Sequence, residues 1–405
     1  MTNWTLDFVC GEYTKQWTGE SLALNQEMTF TAETTVPVGV DNAYTATLKS
    51  QGNADIVASG SVMGLQFQTT KRIVAEETTG TWCGNCPKAI YTLEQLEMNE
   101  EYEGLILPVA IHVGNDPMAN ETYGYLFGLG TNAPLLRVDR HDELIGFATI
   151  DDNPDPKNPQ TAAHSIVSHL DEIAMCDVNV TASYLKNAGK ISGIDATAEL
   201  IPAVDMDGAE YRIGFILTEN NVTAPKAQSS WYQSNYESGV SIATDCGYPW
   251  GSLPKSVKNM RYLDVGRQIY DFRGLENSLP ERTLKAGEKV TFNTQLGLPQ
   301  LESEYQGTLN PENLYLTVFV IEKGDNLPKI LNANRIALGE NPEPRFTSMD
   351  VAKELGLNPA GVDGVEVEFN GEAEYFNLQG IRVLEPAAGI YIVRRGDKVT
   401  KEVIR

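Results

Sequence analysis

Two cysteines three positions apart, Cys83 and Cys86, are the residues whose type and spacing most directly permit chemistry. At that separation the sulfurs can close a disulfide, and a helix beginning at the pair would favour a thiolate through its N-terminal partial charge. Cys83 would then be the nucleophile that attacks a substrate disulfide, and Cys86 would displace the substrate thiol from the mixed disulfide. Trp82 stands immediately before the pair and is placed to shield it on one side. A purely structural disulfide uses the same spacing, so turnover does not follow from spacing alone. The chain has five cysteines, and the other three, Cys10, Cys176 and Cys246, are scattered. They read either as buried small hydrophobes or, for Cys176 and Cys246, as a bridge. No second Cys-x-x-Cys and no His pair close in sequence accompanies the dithiol, so neither a metal nor a cofactor is expected. His112 reads as a packed core residue, and His164 and His169 as solvated or capping groups.

The elements needed to hold the dithiol can be read on either side of it. Residues 72–76 form a short strand, and a turn through Thr79, Gly80 and Thr81 leads to the cysteines. Beyond them Ala89, Leu93 and Leu96 recur at helical spacing with Ile90 beside them, and Pro87 suits a first helical turn. Residues 105–113 are a nearly continuous apolar run, as in a strand buried on both faces. A second helix is expected over 119–127, a strand over 135–140 after Pro134, and a last helix over 161–175 with Ala162, Ile166, Leu170 and Ile173 on one stripe. Strands alternating with helices over 71–175 imply an α/β layer.

The flanks read differently. Trp4, Leu6, Phe8 and Cys10 alternate in the strand period, with similar runs near 44–48 and 62–67, so 1–70 is expected as an N-terminal β domain. Strand patterns over 178–182, 196–200, 211–218, 289–296 and 314–321 suggest a β-sandwich over 176–345. Residues 220–279 form a long insertion within it, rich in Tyr, Trp, Ser, Gly and Pro. Residues 346–372 read as a linker and 373–405 as a compact β tail. The expected class is therefore α+β and multidomain, in keeping with 405 residues.

The segment Trp82-Cys83-Gly84-Asn85-Cys86 resembles the active site of thioredoxins and protein disulfide isomerases. That resemblance implies a thioredoxin-like fold for 71–175. It also implies two further site residues: Glu77, where those proteins keep a buried acid that assists proton transfer, and Pro134, where they keep a cis-proline facing the dithiol. The Gly-Asn dipeptide departs from the commoner Gly-Pro and Gly-His and leaves the direction of net reaction open. A broader resemblance runs from about 72 to 338. It takes in Gly114-Asn115-Asp116-Pro117-Met118, Phe215-Ile216-Leu217-Thr218-Glu219-Asn220 and Asn259-Met260-Arg261-Tyr262, and is similar to the Bacteroidota family related to a twenty-eight-kilodalton outer-membrane protein. It implies an exported, surface-associated protein. The tail, with Glu374-Tyr375-Phe376-Asn377-Leu378-Gln379-Gly380 and Gly389-Ile390-Tyr391-Ile392-Val393, resembles the C-terminal sorting tails of type IX secretion cargo. An ordinary terminal β-hairpin is the plainer alternative.

Composition narrows the partners. The formal net charge is −24 and the pI about 4.6, so phosphate backbones and anionic lipid surfaces are repelled and nucleic acid is not expected. No apolar run is long enough to span a bilayer as a helix. The residues before Trp4 carry no apolar signal region, so an exported form is expected to have lost its leader. Two functions compete: a thiol-disulfide oxidoreductase acting outside the cytoplasm on protein or small-molecule disulfides, and a non-catalytic surface binding protein with a structural Cys83–Cys86 bond. In the second, Trp231, Tyr232, Tyr236, Tyr248 and Trp250 would contact a peptide or glycan, although clustered aromatics also serve cores.

Overall fold

In a computed structural model of the chain, the described residues are 2–24, 26–120, 123, 132–147, 154–242, 247–301, 304–324, 327–357, 374–376, 382–383, 389–395 and 398–404. They are β-rich, with several sheets and few helices. The alternation at the N-terminus produces β1 (Thr2–Cys10), which pairs with β2 (Tyr13–Ser21) and β3 (Asp41–Ser50); β4 (Ile56–Met63) completes an antiparallel sheet ordered β2-β1-β3-β4. One face of β1 is covered at its ends, where Trp4 and Cys10 are buried. Trp4 lies directly across from Gly19, and a side chain there would strike the indole at 2.3 Å.

The next elements surround the cysteines. They are β5 (Ile73–Thr79), α1 (Cys86–Glu97), β6 (Ile106–His112), β7 (Leu135–Val138), β8 (Ile145–Gly146) and α2 (Ala162–Val167). β5 and β6 are parallel, joined through α1, while β7 runs antiparallel to β5. The apolar stripe of α1 faces this sheet: Leu93 and Leu96 pack with Ile73, Ala75, Ile106, Leu136 and Val138. Burying each such leucine is worth about 1.5–3 kcal/mol. The helix expected over 161–175 is shorter. Thr161 caps α2 by accepting the His164 N–H, a 3-10 turn follows at Ser168–Asp171, and Glu172 is already extended. Ile173, a member of the expected stripe, is half exposed because the chain is there turning into the next strand. The helix expected over 119–127 lies largely outside the described residues.

The remaining strands are β9 (Cys176–Asn187), β10 (Lys190–Pro202), β11 (Met206–Asp207), β12 (Tyr211–Glu219), β13 (Gln233–Ser234), β14 (Ser256–Val257), β15 (Val265–Tyr270), β16 (Thr283–Leu284), β17 (Val290–Gly297), β18 (Leu314–Glu322) and β19 (Ile330–Ala337). One eight-stranded sheet runs β19-β18-β12-β15-β6-β5-β7-β8, so strands from both sides of position 175 share a single hydrogen-bonded layer. The join is made by β15, which sits parallel to β6 at Val265 and Ala110 and antiparallel to β12. A three-stranded sheet, β17-β10-β9, packs on the β12–β18 end of that layer, with Val178, Ile194, Leu200, Phe215, Leu217, Leu316 and Val318 between them. β15 and β19 were not anticipated: Gly266, Arg267 and Gln268 in one, and Asn332 and Asn334 in the other, interrupt the apolar alternation.

Of the residues expected as a linker, 346–357 are described. They include helix α3 (Ser348–Glu354), whose Met349, Val351 and Ala352 join a core with Tyr91 of α1 and with Trp231, Tyr248 and Trp250. The tail's described strands, β20 (Glu374–Phe376), β21 (Arg382–Val383), β22 (Gly389–Arg395) and β23 (Lys398–Ile404), form an antiparallel sheet ordered β21-β20-β22-β23.

Candidate functional site

The loop between β5 and α1 carries the dithiol as a closed disulfide, with Cys83 and Cys86 Cα atoms 5.5 Å apart. Cys86 is the first residue of α1 and donates its backbone N–H to Cys83 Sγ at 3.1 Å. This is one of the N–H groups that a helix start leaves without an intrahelical partner. In the reduced state the same N–H and the helix dipole would stabilise a Cys83 thiolate. Pro87 occupies the first turn, where its missing donor costs nothing. The Cys83 N–H closes a turn onto the Gly80 carbonyl at 3.0 Å. Trp82 is 42% exposed, and its indole is fixed by donation to the Val113 carbonyl at 2.9 Å.

The sheet brings further groups to the same end. Glu77 lies on β5, paired with Ala110 of β6 and Leu136 of β7, and is buried. Burial pushes its carboxyl up to about 8, against a smaller opposing contribution from a Thr79 hydrogen bond. Glu77 Oε1 has no hydrogen-bond partner among the described residues. A small cavity of about 40 Å³, also lined by Glu94, Glu97, His112, Asp264 and Arg345, reaches it. That is room for ordered water. The Ala133–Pro134 peptide is cis, and Pro134 precedes the Leu135–Thr78 pair, at the end of β5 from which the cysteine loop departs. Asp116 braces the loop by accepting the Thr81 N–H at 2.6 Å. Burial opposes the charge on Asp116, but the adjoining His112 and the N–H groups of Thr81 and Met118 outweigh it and lower its pKa. His112 is buried, with Nδ1 3.1 Å from Asp116 and its ring edge-on to Tyr262, as a packed residue should be.

What sequence reasoning missed is a strap from the long insertion that lies across the loop. Thr81 Oγ1 donates to the Ser230 carbonyl, the Ser234 N–H to the Thr81 carbonyl at 2.7 Å, and the Tyr236 N–H to the Gly84 carbonyl at 3.0 Å. The buried Gln233 amide donates to the carbonyls of Cys83 at 2.9 Å and Gly80 at 3.3 Å. Lys88 of α1 pairs with Glu237 at 3.2 Å. The Tyr236 ring lies on Gly84 so closely that a Cβ at 84 would meet it at 2.4 Å, a fit that only glycine allows. Cys83 is consequently only 3% exposed and Cys86 fully buried. Pairing with residues some 150 positions away leaves no local signal in the sequence.

The aromatic residues expected as a contact surface divide. Trp231, Tyr248 and Trp250 are buried in the core against α1 and α3, a correction that follows from the need to cover the outer face of α1. Tyr236 is 69% exposed and Tyr232 partly so. Tyr232 lines, with Trp82, Asn115 and Ser229, an open cleft of about 400 Å³ beside the cysteine loop. Cys10 and Cys176 are free and buried, and burial pushes the Cys176 thiol up to about 12; Cys246 lies outside the described residues. His164 Nδ1 contacts the Pro156 carbonyl, and His169 pairs with Glu172.

Fold and site together define a β-rich protein with a strapped Cys-x-x-Cys disulfide at a helix start. Among solved structures, HBP35 of Porphyromonas gingivalis is similar to this chain at 15% identity and a TM-score of 0.45, over 84% of this chain and 99% of that one. A likeness this slight carries neither fold nor activity across. No protein-family model matches the sequence, and no curated protein does.

Proposed function

We propose that the chain is an exported thiol-disulfide oxidoreductase whose thioredoxin-like unit, residues 71–175, works through the Cys83–Cys86 couple. The observation that carries this reading is the N–H of Cys86 directed at Cys83 Sγ where α1 begins. Support comes from the buried acid Glu77 on the preceding strand and from Pro134 at the same sheet end. In the reducing direction, the Cys83 thiolate attacks a substrate disulfide and one substrate sulfur leaves as a thiolate. Cys86, giving up its proton, then attacks Cys83 Sγ, the second substrate sulfur leaves, and the Cys83–Cys86 disulfide holds the oxidised state. With its carboxyl raised to about 8, Glu77 is mostly neutral at pH 7 but keeps a charged fraction, and it is that fraction that would accept the Cys86 proton and release it toward the adjoining cavity. The cleft beside Trp82 gives a substrate chain a place to lie. Among the described residues no helix is long and apolar enough to cross a membrane.

A second reading, a surface protein with a purely structural disulfide, is favoured by the 3% exposure of Cys83 under the strap. The two separate in one assay. The oxidoreductase reading expects a reversible dithiol couple on redox titration and insulin disulfide reduction that Cys83→Ser abolishes. Equal behaviour of wild type and Cys83→Ser, or a potential well below that of thioredoxin (~−270 mV), leaves the structural reading in possession.

A further inference from the structure

Away from the cysteine loop, the fold brings His141 beside His169 and Glu172, which lie 28 and 31 positions further along the chain. β7 ends at Val138, and Asp139 and Arg140, both in the left-handed region at φ 47° and 60°, turn the chain so that His141 folds back. The turn is fastened by the His141 N–H to the Val138 carbonyl at 2.9 Å and by Arg137 to the His141 carbonyl at 2.8 Å. The 3-10 turn after α2 presents His169, and Glu172 follows it directly. Glu172 reaches both rings: Oε1 is 2.7 Å from His169 Nδ1 and Oε2 is 3.3 Å from His141 Nε2. The ring centroids are 4.9 Å apart, and one ligand atom from each of the three residues lies within 4.8 Å of the others.

We infer that His141, His169 and Glu172 form a binding site for a divalent transition ion of the zinc class. Two imidazoles and one carboxylate are the donor set that zinc accepts, whereas calcium and magnesium take oxygen ligands throughout. Ligand atoms around tetrahedral zinc stand about 3.3 Å apart, given metal–ligand bonds near 2.1 Å. With all separations within 4.8 Å, the longest must therefore close by at most about 1.5 Å. Side chains that are 27%, 14% and 38% exposed have the torsional freedom to do so. Three protein ligands leave a fourth position to solvent. The ion would replace the contacts that Glu172 now makes with the two rings and pin the turn after β7 to the turn after α2. Lys71 stands 4.0 Å from Glu172 but is engaged by Asp139 at 2.7 Å and by the Leu331 carbonyl, so it leaves the carboxylate available. The site is independent of the redox reading, since it shares no residue with the cysteine loop.

The test uses chelator-treated, fully oxidised full-length protein, in which Cys83 and Cys86 cannot bind metal. Titration with zinc alone, followed by calorimetry, is expected to show one site; His141→Ala, His169→Ala and Glu172→Gln should each weaken it about tenfold or more, while His164→Ala leaves it unchanged. A second readout needs no variant: the imidazole NMR resonances of His141 and His169 should move on zinc addition and those of His112 and His164 should not. Absence of zinc binding to wild type, equal binding by the His141→Ala/His169→Ala double variant, or movement of the other two histidines in place of these, overturns the assignment.

Discussion

Glu77 shows how burial converts an ordinary residue into a group with both a stability cost and a chemical use. Its carboxyl is raised to about 8, first by desolvation, whereas an unfolded glutamate titrates near its usual 4.5. Between those values the unfolded chain has lost the proton that the folded chain keeps, so folded stability falls as pH rises through the window and levels off above it. Glu77→Gln should remove that slope and make the protein more stable at pH 7 by up to about 3 kcal/mol, with little change near pH 4. Denaturant melts at the two pH values measure it. If the dithiol turns over, the same variant should also slow insulin reduction, which a merely structural carboxyl would not do. The local order was readable: a strand, a turn and a helix beginning near Cys86 follow from spacing and apolar pattern, whereas Glu77 and Pro134 came only from the resemblance to thioredoxins. Gln233, Ser234 and Tyr236 were not readable, because their contacts with the loop are backbone hydrogen bonds and an amide reaching across the fold, which leave no pattern in residue type.

At the scale of elements, the strap decides how accessible the disulfide is. Its hold on the cysteine loop depends on Gln233, whose amide serves two loop carbonyls in a buried setting. Removing a buried donor of this kind costs about 1–3 kcal/mol. If reduction of the disulfide requires the strap to lift, Gln233→Ala should speed its reduction by dithiothreitol about 5-fold to 100-fold, since each 1.4 kcal/mol is a factor of ten. Trapping free thiols by alkylation over time reads the rate, and an unchanged rate would show that reductant reaches Cys83 without lifting the strap. Tyr236→Ala should act in the same direction with little loss of stability, because that ring is 69% exposed. The same element scale explains the misread stretches. In the helix expected over 161–175, Ala162, Ile166 and Leu170 do face the core, but Thr161 and the extended Glu172 limit it to two short turns and leave Ile173 outside. β15 was hidden because its buried Arg267 is neutralised by Glu219 at 2.7 Å, a partner on β12 that no local window contains.

At the scale of the whole molecule, Asp264 is the point where the cysteine-bearing strands and the later β strands are fastened together. It is buried, at the entrance to β15, with φ 52°, a conformation that aspartate tolerates better than most residues. Its carbonyl accepts the Ala110 N–H of β6 at 2.8 Å, and its N–H donates to Asn220 Oδ1 at 2.7 Å. Its carboxylate receives Arg335 of β19 at 3.0 Å and Arg345, from the segment before α3, at 2.6 Å; Arg345 also pairs with Glu97 of α1. Replacing this carboxylate with an amide leaves the largely buried Arg335 without its counter-charge and Arg345 with Glu97 alone. Losing one partner of such a buried pair costs about 3–5 kcal/mol. Because β6 and β15 belong to one sheet, the loss should not loosen a single layer. Asp264→Asn is expected to lower the denaturant midpoint of the whole 73–337 region in one transition, seen alike by far-ultraviolet dichroism and by tryptophan fluorescence from Trp231 and Trp250. If the cysteine-bearing strands instead melted separately from the later ones, the shared sheet would not be the unit of stability, and the shielding of the Cys83–Cys86 disulfide would have to be explained without the strap and the β15 junction that now surround it.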